Sequence, residues 1–184
     1  SFDEYIGRIN KNYIVKISLK KGYISNFKEK HGKSIVDSTD KSILRLVQHD
    51  ATLSLDYIAS RVGASKTPVW NRLKRLKADG VIKREVAVLD PSAVGLDTCF
   101  FVLVKTSEHD ASWQARFLSA LQNRNEVIEA HRLAGEIDYI LKVRVANAQA
   151  YDAFYQSLIS EVKVFNVTAL LSMEELKSTT GLRI

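Results

Sequence analysis

Two hydrophobic periods divide this chain, and the change falls near Gly95. Before it the spacing is helical. Ile43, Leu46 and Val47 stand at i, i+3, i+4, behind the N-cap candidates Asp37, Ser38, Thr39 and Asp40, and predict a first helix ending near His49-Asp50. Leu55, Ile58, Ala59 and Val62 fall at i, i+3, i+4, i+7 and predict a second helix from about Ser54 to Val62. Gly63 follows where a helix commonly ends in a left-handed residue. A third helix reaches about Asp79 and is closed by Gly80; it starts either at a Ser65 cap or at Thr67-Pro68, since proline suits a first helical turn. Val81 to Leu89 reads as a β wing. After Gly95, Cys99–Thr106 is an apolar strand, and Trp113, Phe117 and Leu121 at i, i+4, i+8 give a helix. Val127–Leu133 and Tyr139–Val145 are strands joined by the turn Ala134-Gly135-Glu136-Ile137. Ala150, Phe154 and Leu158 mark another helix, and Phe165 to Met173 a last strand.

The order βαββαβ is a ferredoxin-like split arrangement, with helices on one face of an antiparallel sheet. The fold class expected is therefore α+β: an N-terminal winged helix-turn-helix and a C-terminal ferredoxin-like domain. The expected divisions are an atypical basic extension over 1–36, the winged helix-turn-helix over 37–90, a linker over 91–97 and the second domain over 98–184.

Composition sharpens the first of these divisions. Of residues 1–33, 20 are Ile, Lys, Asn, Tyr or Phe, and the first alanine of the chain is Ala51. Tyr13–Leu19 could form one strand without an obvious partner. Two readings of this extension stay open. It is a basic arm that adds phosphate contacts, or it is sequence foreign to the natural protein, including a start placed too far upstream; the abrupt change in composition favours the second. Net charge is +6, unevenly distributed: residues 1–36 hold 8 basic and 3 acidic side chains, 37–93 hold 10 and 7, and 94–184 hold 9 and 11. A basic front and an acidic rear fit a nucleic-acid-binding module on a domain that does something else. The 46% of apolar residues are those of a globular protein, with no run suited to a membrane span and no signal-peptide pattern, so a cytoplasmic, nucleoid-associated location is expected. The one cysteine, Cys99, sits in an apolar strand and reads as a core residue. His31, His49, His109 and His131 are scattered, without metal-ligand spacing, so no metal site and no cofactor are expected. No phosphate-cradling loop and no nucleophile–base set is present, and no catalytic residue is assigned.

The informative stretch is Leu53 to Leu76. Two short helices separated by Gly63-Ala64 have the form in which one helix braces another for entry into a DNA major groove. On a helical wheel, Val69, Leu73 and Leu76 of the third helix share one side. Thr67, Asn71, Lys74 and Arg75 occupy the other. Lys66, Trp70 and Lys77 lie on one flank, with Pro68 and Arg72 on the opposite one. Amide, hydroxyl and cationic groups on one exposed face are those that read base edges and grip phosphates. The DNA-binding candidates are Ser65, Lys66, Thr67, Pro68, Trp70, Asn71, Arg72, Lys74 and Arg75. Trp70 reads first as a packing residue against a neighbouring helix, with a DNA contact as the alternative.

Asp37-Ser-Thr-Asp40-Lys-Ser-Ile43-Leu44, Ile58-Ala59-Ser-Arg61-Val62-Gly63-Ala-Ser65-Lys-Thr67-Pro68-Val69, Arg72-Leu73-Lys-Arg75-Leu76-Lys-Ala-Asp-Gly80-Val81-Ile82, Ala87-Val88-Leu89-Asp90-Pro91, Leu133-Ala-Gly135-Glu-Ile-Asp138-Tyr139-Ile-Leu141-Lys142-Val143 and Met173-Glu174-Glu175-Leu176-Lys177 together resemble the Lrp/AsnC, or feast/famine, family of transcriptional regulators. The resemblance covers about residues 35–184. It implies a second domain that binds an effector and assembles subunits into homodimers, and further to tetramers or octamers. It also implies double-stranded DNA as a partner and an amino acid or related metabolite as effector, with amino-acid metabolism genes as targets. The effector would sit in a cleft between subunits at the turn 134–139.

Gly135 can let backbone N–H groups approach a ligand, and Asp138 or Glu136 could hold an α-amino group; an ordinary hairpin turn is the alternative. The effector candidates are Leu133, Gly135, Glu136, Asp138, Tyr139, Val167 and Ala169. Many relatives carry Thr-x-Thr where Val167 and Ala169 stand, so a pocket lined by them is more apolar, and a bulkier or less polar ligand, or none, is expected.

Overall fold

A computed structural model describes residues 36–108 and 110–184. Residues 1–35 of the extension read at 1–36, its strand over 13–19 included, and His109 lie outside the described residues. The described chain falls into two compact units: one spans Leu89–Glu174, and the other runs to Val88 and takes in Glu175–Ile184.

The first three helices form a small head. α1 (Ser38–Val47) begins in a capping box: Asp37 accepts from the Asp40 amide at 2.8 Å and Asp40 accepts from the Asp37 amide at 3.0 Å. α2 (Leu55–Val62) is capped by Ser54 and stops at Gly63, whose φ of 67° lies in the left-handed region that a side chain disfavours. α3 (Lys66–Ala78) starts at the earlier of its two candidate points, with Ser65 as N-cap and Pro68 inside the first turn. Ile43, Ile58, Ala59 and Val69 close the centre of the head, and Leu55 and Val62 from the predicted α2 stripe pack around them with Leu73 of α3.

The predicted β wing is not a strand. All four strands among the described residues lie between Thr98 and Leu171, and a strand needs a ladder partner. Residues 83–90 have none within the described chain and run exposed, Val86, Val88 and Leu89 included. Their start is tethered by the Ile82 amide donating to the Leu76 carbonyl at 3.0 Å and by a Lys77–Glu85 ion pair at 2.8 Å.

The second unit opens with a 3-10 turn at Ser92–Val94 and has the expected order β1 (Thr98–Lys105), α4 (Ala111–Gln122), β2 (Val127–Arg132), β3 (Tyr139–Val145), α5 (Ala148–Glu161), β4 (Asn166–Leu171). The sheet is antiparallel throughout, ordered β2-β3-β1-β4. Alternation sends Phe100, Val102 and Val104 of β1 and Tyr139, Leu141, Val143 and Val145 of β3 to one face, where Trp113 and Phe117 of α4 and Phe154 and Leu158 of α5 cover them. The buried Trp113 indole is satisfied by the Lys163 carbonyl at 2.7 Å. Arg124 joins the two helices, donating to the carbonyls of Ala120 (2.6 Å) and Ser157 (2.9 Å) and pairing with Glu161 at 2.9 Å.

Candidate DNA-binding face and effector-binding turn

α3 is buried on one side only. Val69 and Leu76 are inaccessible and Leu73 half-buried, as the wheel required. Ser65, Lys66, Thr67, Pro68, Trp70, Asn71 and Lys74 all face solvent. Trp70 is 49% exposed, with the Lys74 ammonium 5.2 Å from its ring centre. Beside it, Leu55, Lys66, Thr67 and Trp70 line a shallow concavity. Lys66 pairs with Asp56 at 2.5 Å, but both side chains are mostly exposed, so the pair adds little stability.

Arg72 and Arg75 are placed differently from the rest of the face. Their guanidinium groups turn back onto the start of α1. Arg72 donates to Asp37 at 2.6 Å and to Asp40 at 2.8 Å, and Arg75 pairs with the other oxygen of Asp40. Asp40 has no exposed surface. Burial pushes its carboxyl up, but hydrogen bonds from Arg72, the Asp37 amide and Arg75 outweigh this and leave it below the usual carboxylate range. The Asp40 amide and Arg72 lower Asp37 likewise, and both carboxylates raise Arg72. The arrangement is a latch between the N-terminus of α1 and the middle of α3. In the sequence Asp37 and Asp40 stand out only as caps; the signal for the latch is an acidic pair 35 residues before an arginine pair at i, i+3, a separation no wheel spans.

The second candidate site gathers at the end of β1. The Asp138 amide donates to the Val104 carbonyl at 3.1 Å, and the Asp138 carboxylate accepts from the Thr106 amide at 2.8 Å. The Leu133 amide closes the turn on the Asp138 carbonyl at 2.7 Å. Val167 pairs with Val104 on the opposite side of β1, and Ala169 with Val102. Asp138 and Val167 are thus both neighbours of Val104, while Leu133, Gly135 and Glu136 stand exposed on the turn. Glu136 is 3.6 Å from Lys105, a weak surface pair. Gly135 does not need a glycine-only backbone angle, and a Cβ there would meet nothing within 4 Å of it. The Tyr139 side chain lies in the same row of the sheet as Val104 and Val167. It is buried, its ring 4.8 Å from that of Phe117, because it shares the inward parity of Leu141 and Val143. No group of three or more His, Cys, Asp or Glu among the described residues could hold a metal ion, and no described helix is long and apolar enough to cross a membrane.

A helix-turn-helix head and a βαββαβ domain of this topology define a class of DNA-binding regulator. Residues 36–83 match the family described as winged helix-turn-helix DNA-binding, and 99–182 that described as Lrp/AsnC ligand binding domain. The glutamate uptake regulatory protein of Zymomonas mobilis is 45% identical over 145 residues, which cover 79% of this chain and 88% of that protein. The crystal structure of an AsnC family transcriptional regulator from Agrobacterium tumefaciens superposes with a TM-score of 0.78 at 40% identity, covering 80% of this chain and 97% of that one. A transcriptional regulator of Neisseria meningitidis, solved as its L-Met complex, gives 0.76 at 28% identity, covering 80% and 96%. The chain belongs to the Lrp/AsnC family: it is a DNA-binding transcriptional regulator with a ligand-binding domain, not an enzyme.

Proposed function

We propose that the chain is a sequence-specific regulator of amino-acid metabolism genes in the cytoplasm, working at the nucleoid, whose DNA contacts come from Ser65, Lys66, Thr67, Pro68, Trp70, Asn71 and Lys74 and whose Arg72 and Arg75 hold α3 at its reading angle. One observation carries this reading: α3 buries Val69 and Leu76 and leaves an amide, hydroxyls and cations on its outer side. Asn71 matches the donor–acceptor pattern of adenine, and Lys66 and Lys74 match phosphate or guanine. Two heads of a homodimer would enter successive major grooves about one helical turn apart, and dimers would assemble into tetramers to octamers. Selection of duplexes from a random pool, followed by competition with non-specific DNA at fixed salt, tests it. A preference of about 10³-fold or more supports specific reading, and equal competition contradicts it.

The same proposal assigns the effector to the cluster at the end of β1, with Asp138 and Glu136 toward an α-amino group, Leu133 and Gly135 on the turn, and Val167 and Ala169 as an apolar wall. The Neisseria relative bound to L-Met and the Zymomonas relative named for glutamate uptake support an amino-acid effector. The missing hydroxyls at Val167 and Ala169 favour a larger or less polar one. Calorimetry against a panel of amino acids and their breakdown products decides: tight binding of a small polar amino acid contradicts the apolar-wall reading. An effector changes DNA binding only by the difference in its affinity for the states it connects.

A further inference from the structure

Glu175–Ile184 belongs by its contacts to the head, not to the sheet that it follows. The holding contacts are made to backbone. The Gln48 side-chain amide meets Leu182 twice, its Nε2 donating to the Leu182 carbonyl at 3.1 Å and its Oε1 accepting from the Leu182 amide at 2.9 Å. This is the pair of bonds a neighbouring β-strand would offer, supplied here by one side chain. Arg45 Nε donates to the Ile184 carbonyl at 2.8 Å. Arg45 and Gln48 are three apart and share a helix face; residues 182 and 184 are two apart and share one side of an extended segment. At Gly181 a Cβ would stand 3.0 Å from His49 Cε1, so the segment runs close along the helix end. The Leu182 side chain is 72% exposed and contributes little of the hold.

We propose that the C-terminal flank of α1 is a docking site for extended backbone, occupied by residues 175–184 of the same chain, and that this strap ties the last strand of the ligand-binding domain to the recognition helix. β4, which bears Val167 and Ala169, ends at Leu171 and leads directly into the strap. The strap is gripped by Arg45 and Gln48 of α1, and the same helix carries Asp40, which holds Arg72 and Arg75 of α3. On this proposal a shift at the exit of β4 would reach α3 along the strap, through α1 and the ionic latch. The family match extends the ligand-binding domain to residue 182, whereas the last of those residues are seated on the head. The docking half of the proposal stands on geometry alone; the coupling half rests on α3 being the DNA-reading helix.

The test uses full-length variants. Leu182→Ala keeps both backbone bonds, Leu182→Pro removes the donor, and Gln48→Ala removes both partners. Hydrogen exchange at the residue 182 amide is expected to stay within about twofold of wild type in Leu182→Ala and to rise about tenfold or more in Gln48→Ala, while Leu182→Pro, which has no amide there, is read by its affinity for DNA. Wild-type exchange in Gln48→Ala overturns the docking. A dimeric occupant is distinguished by a short bismaleimide bridging His49→Cys and Gly181→Cys, a close pair that leaves the Gln48–Leu182 bonds in place: linkage within one chain supports the strap, and linkage between two chains overturns it. Cys99 is buried and does not compete. Affinity for a duplex selected by the wild type is expected to fall severalfold in Gln48→Ala and Leu182→Pro only. Accelerated exchange with unchanged affinity overturns the coupling and leaves the docking standing, and failure of the wild type to select any duplex refutes the DNA reading instead.

Discussion

Removing the Asp40 carboxylate should loosen the recognition helix without touching the surface it offers to DNA. Asp40→Ala deletes three accepted bonds: from Arg72, from Arg75 and from the Asp37 amide. Breaking a buried ion pair by removing one partner costs about 3–5 kcal/mol when the other charge stays buried. Here the orphaned guanidinium groups are 31% and 46% exposed and regain water, which lowers the expected cost to about 2–3 kcal/mol. That corresponds to α3 amides exchanging roughly 30- to 150-fold faster in the full-length variant. Asp40→Asn, which keeps the shape and part of the hydrogen bonding, should fall between the two. The pH dependence has a definite sign. Asp40 titrates below an ordinary carboxylate when folded, so its contribution is present above about pH 4 and is lost as the pH falls through the folded value. The head of Asp40→Asn should therefore lose less stability than wild type on acidification below about pH 4. Exchange in Asp40→Ala within about twofold of wild type would refute the latch.

Four further outcomes follow from the same geometry. Asn71→Ala should cost about 1–3 kcal/mol at a selected site and relax preference at one base pair, read by binding to single-base variants. Lys74→Ala should weaken all duplexes alike and reduce the slope of log affinity against log salt by about 1, measured by titration across salt concentrations. Gly63→Ala places a side chain at a φ of 67° and should lower head stability by about 1 kcal/mol, seen in α2 amide exchange. Asp138→Ala removes the acceptor for the Thr106 amide and should cost about 1–2 kcal/mol in thermal unfolding of the second unit.

Local periodicity carried most of the fold. The stripe of Leu55, Ile58, Ala59 and Val62 placed α2 within a residue of its observed start, and the alternation in 139–145 gave β3 its full length. These elements are determined by which face is buried, and burial is written in spacing. The wing could not be read the same way. Val86, Val88 and Leu89 have strand-like composition, but a strand is a property of two segments, and its partner is not among the described residues. Arg72 and Arg75 illustrate the same limit at a site. A wheel shows where a side chain emerges but not what waits there, and their acceptors lie on another helix. The burial of Tyr139 was legible: it shares the parity of Leu141 and Val143.

The claim that the outer side of α3 carries the duplex can be measured at Trp70 itself. The chain holds two tryptophans; Trp113 is 1% exposed and out of reach of acrylamide, leaving Trp70 as the quenchable reporter. Addition of a duplex selected by the wild type should shift the Trp70 emission and shield it from acrylamide, with the same midpoint as binding measured by anisotropy. Saturated DNA binding with Trp70 emission and acrylamide access unchanged would place the duplex on another surface and contradict the account.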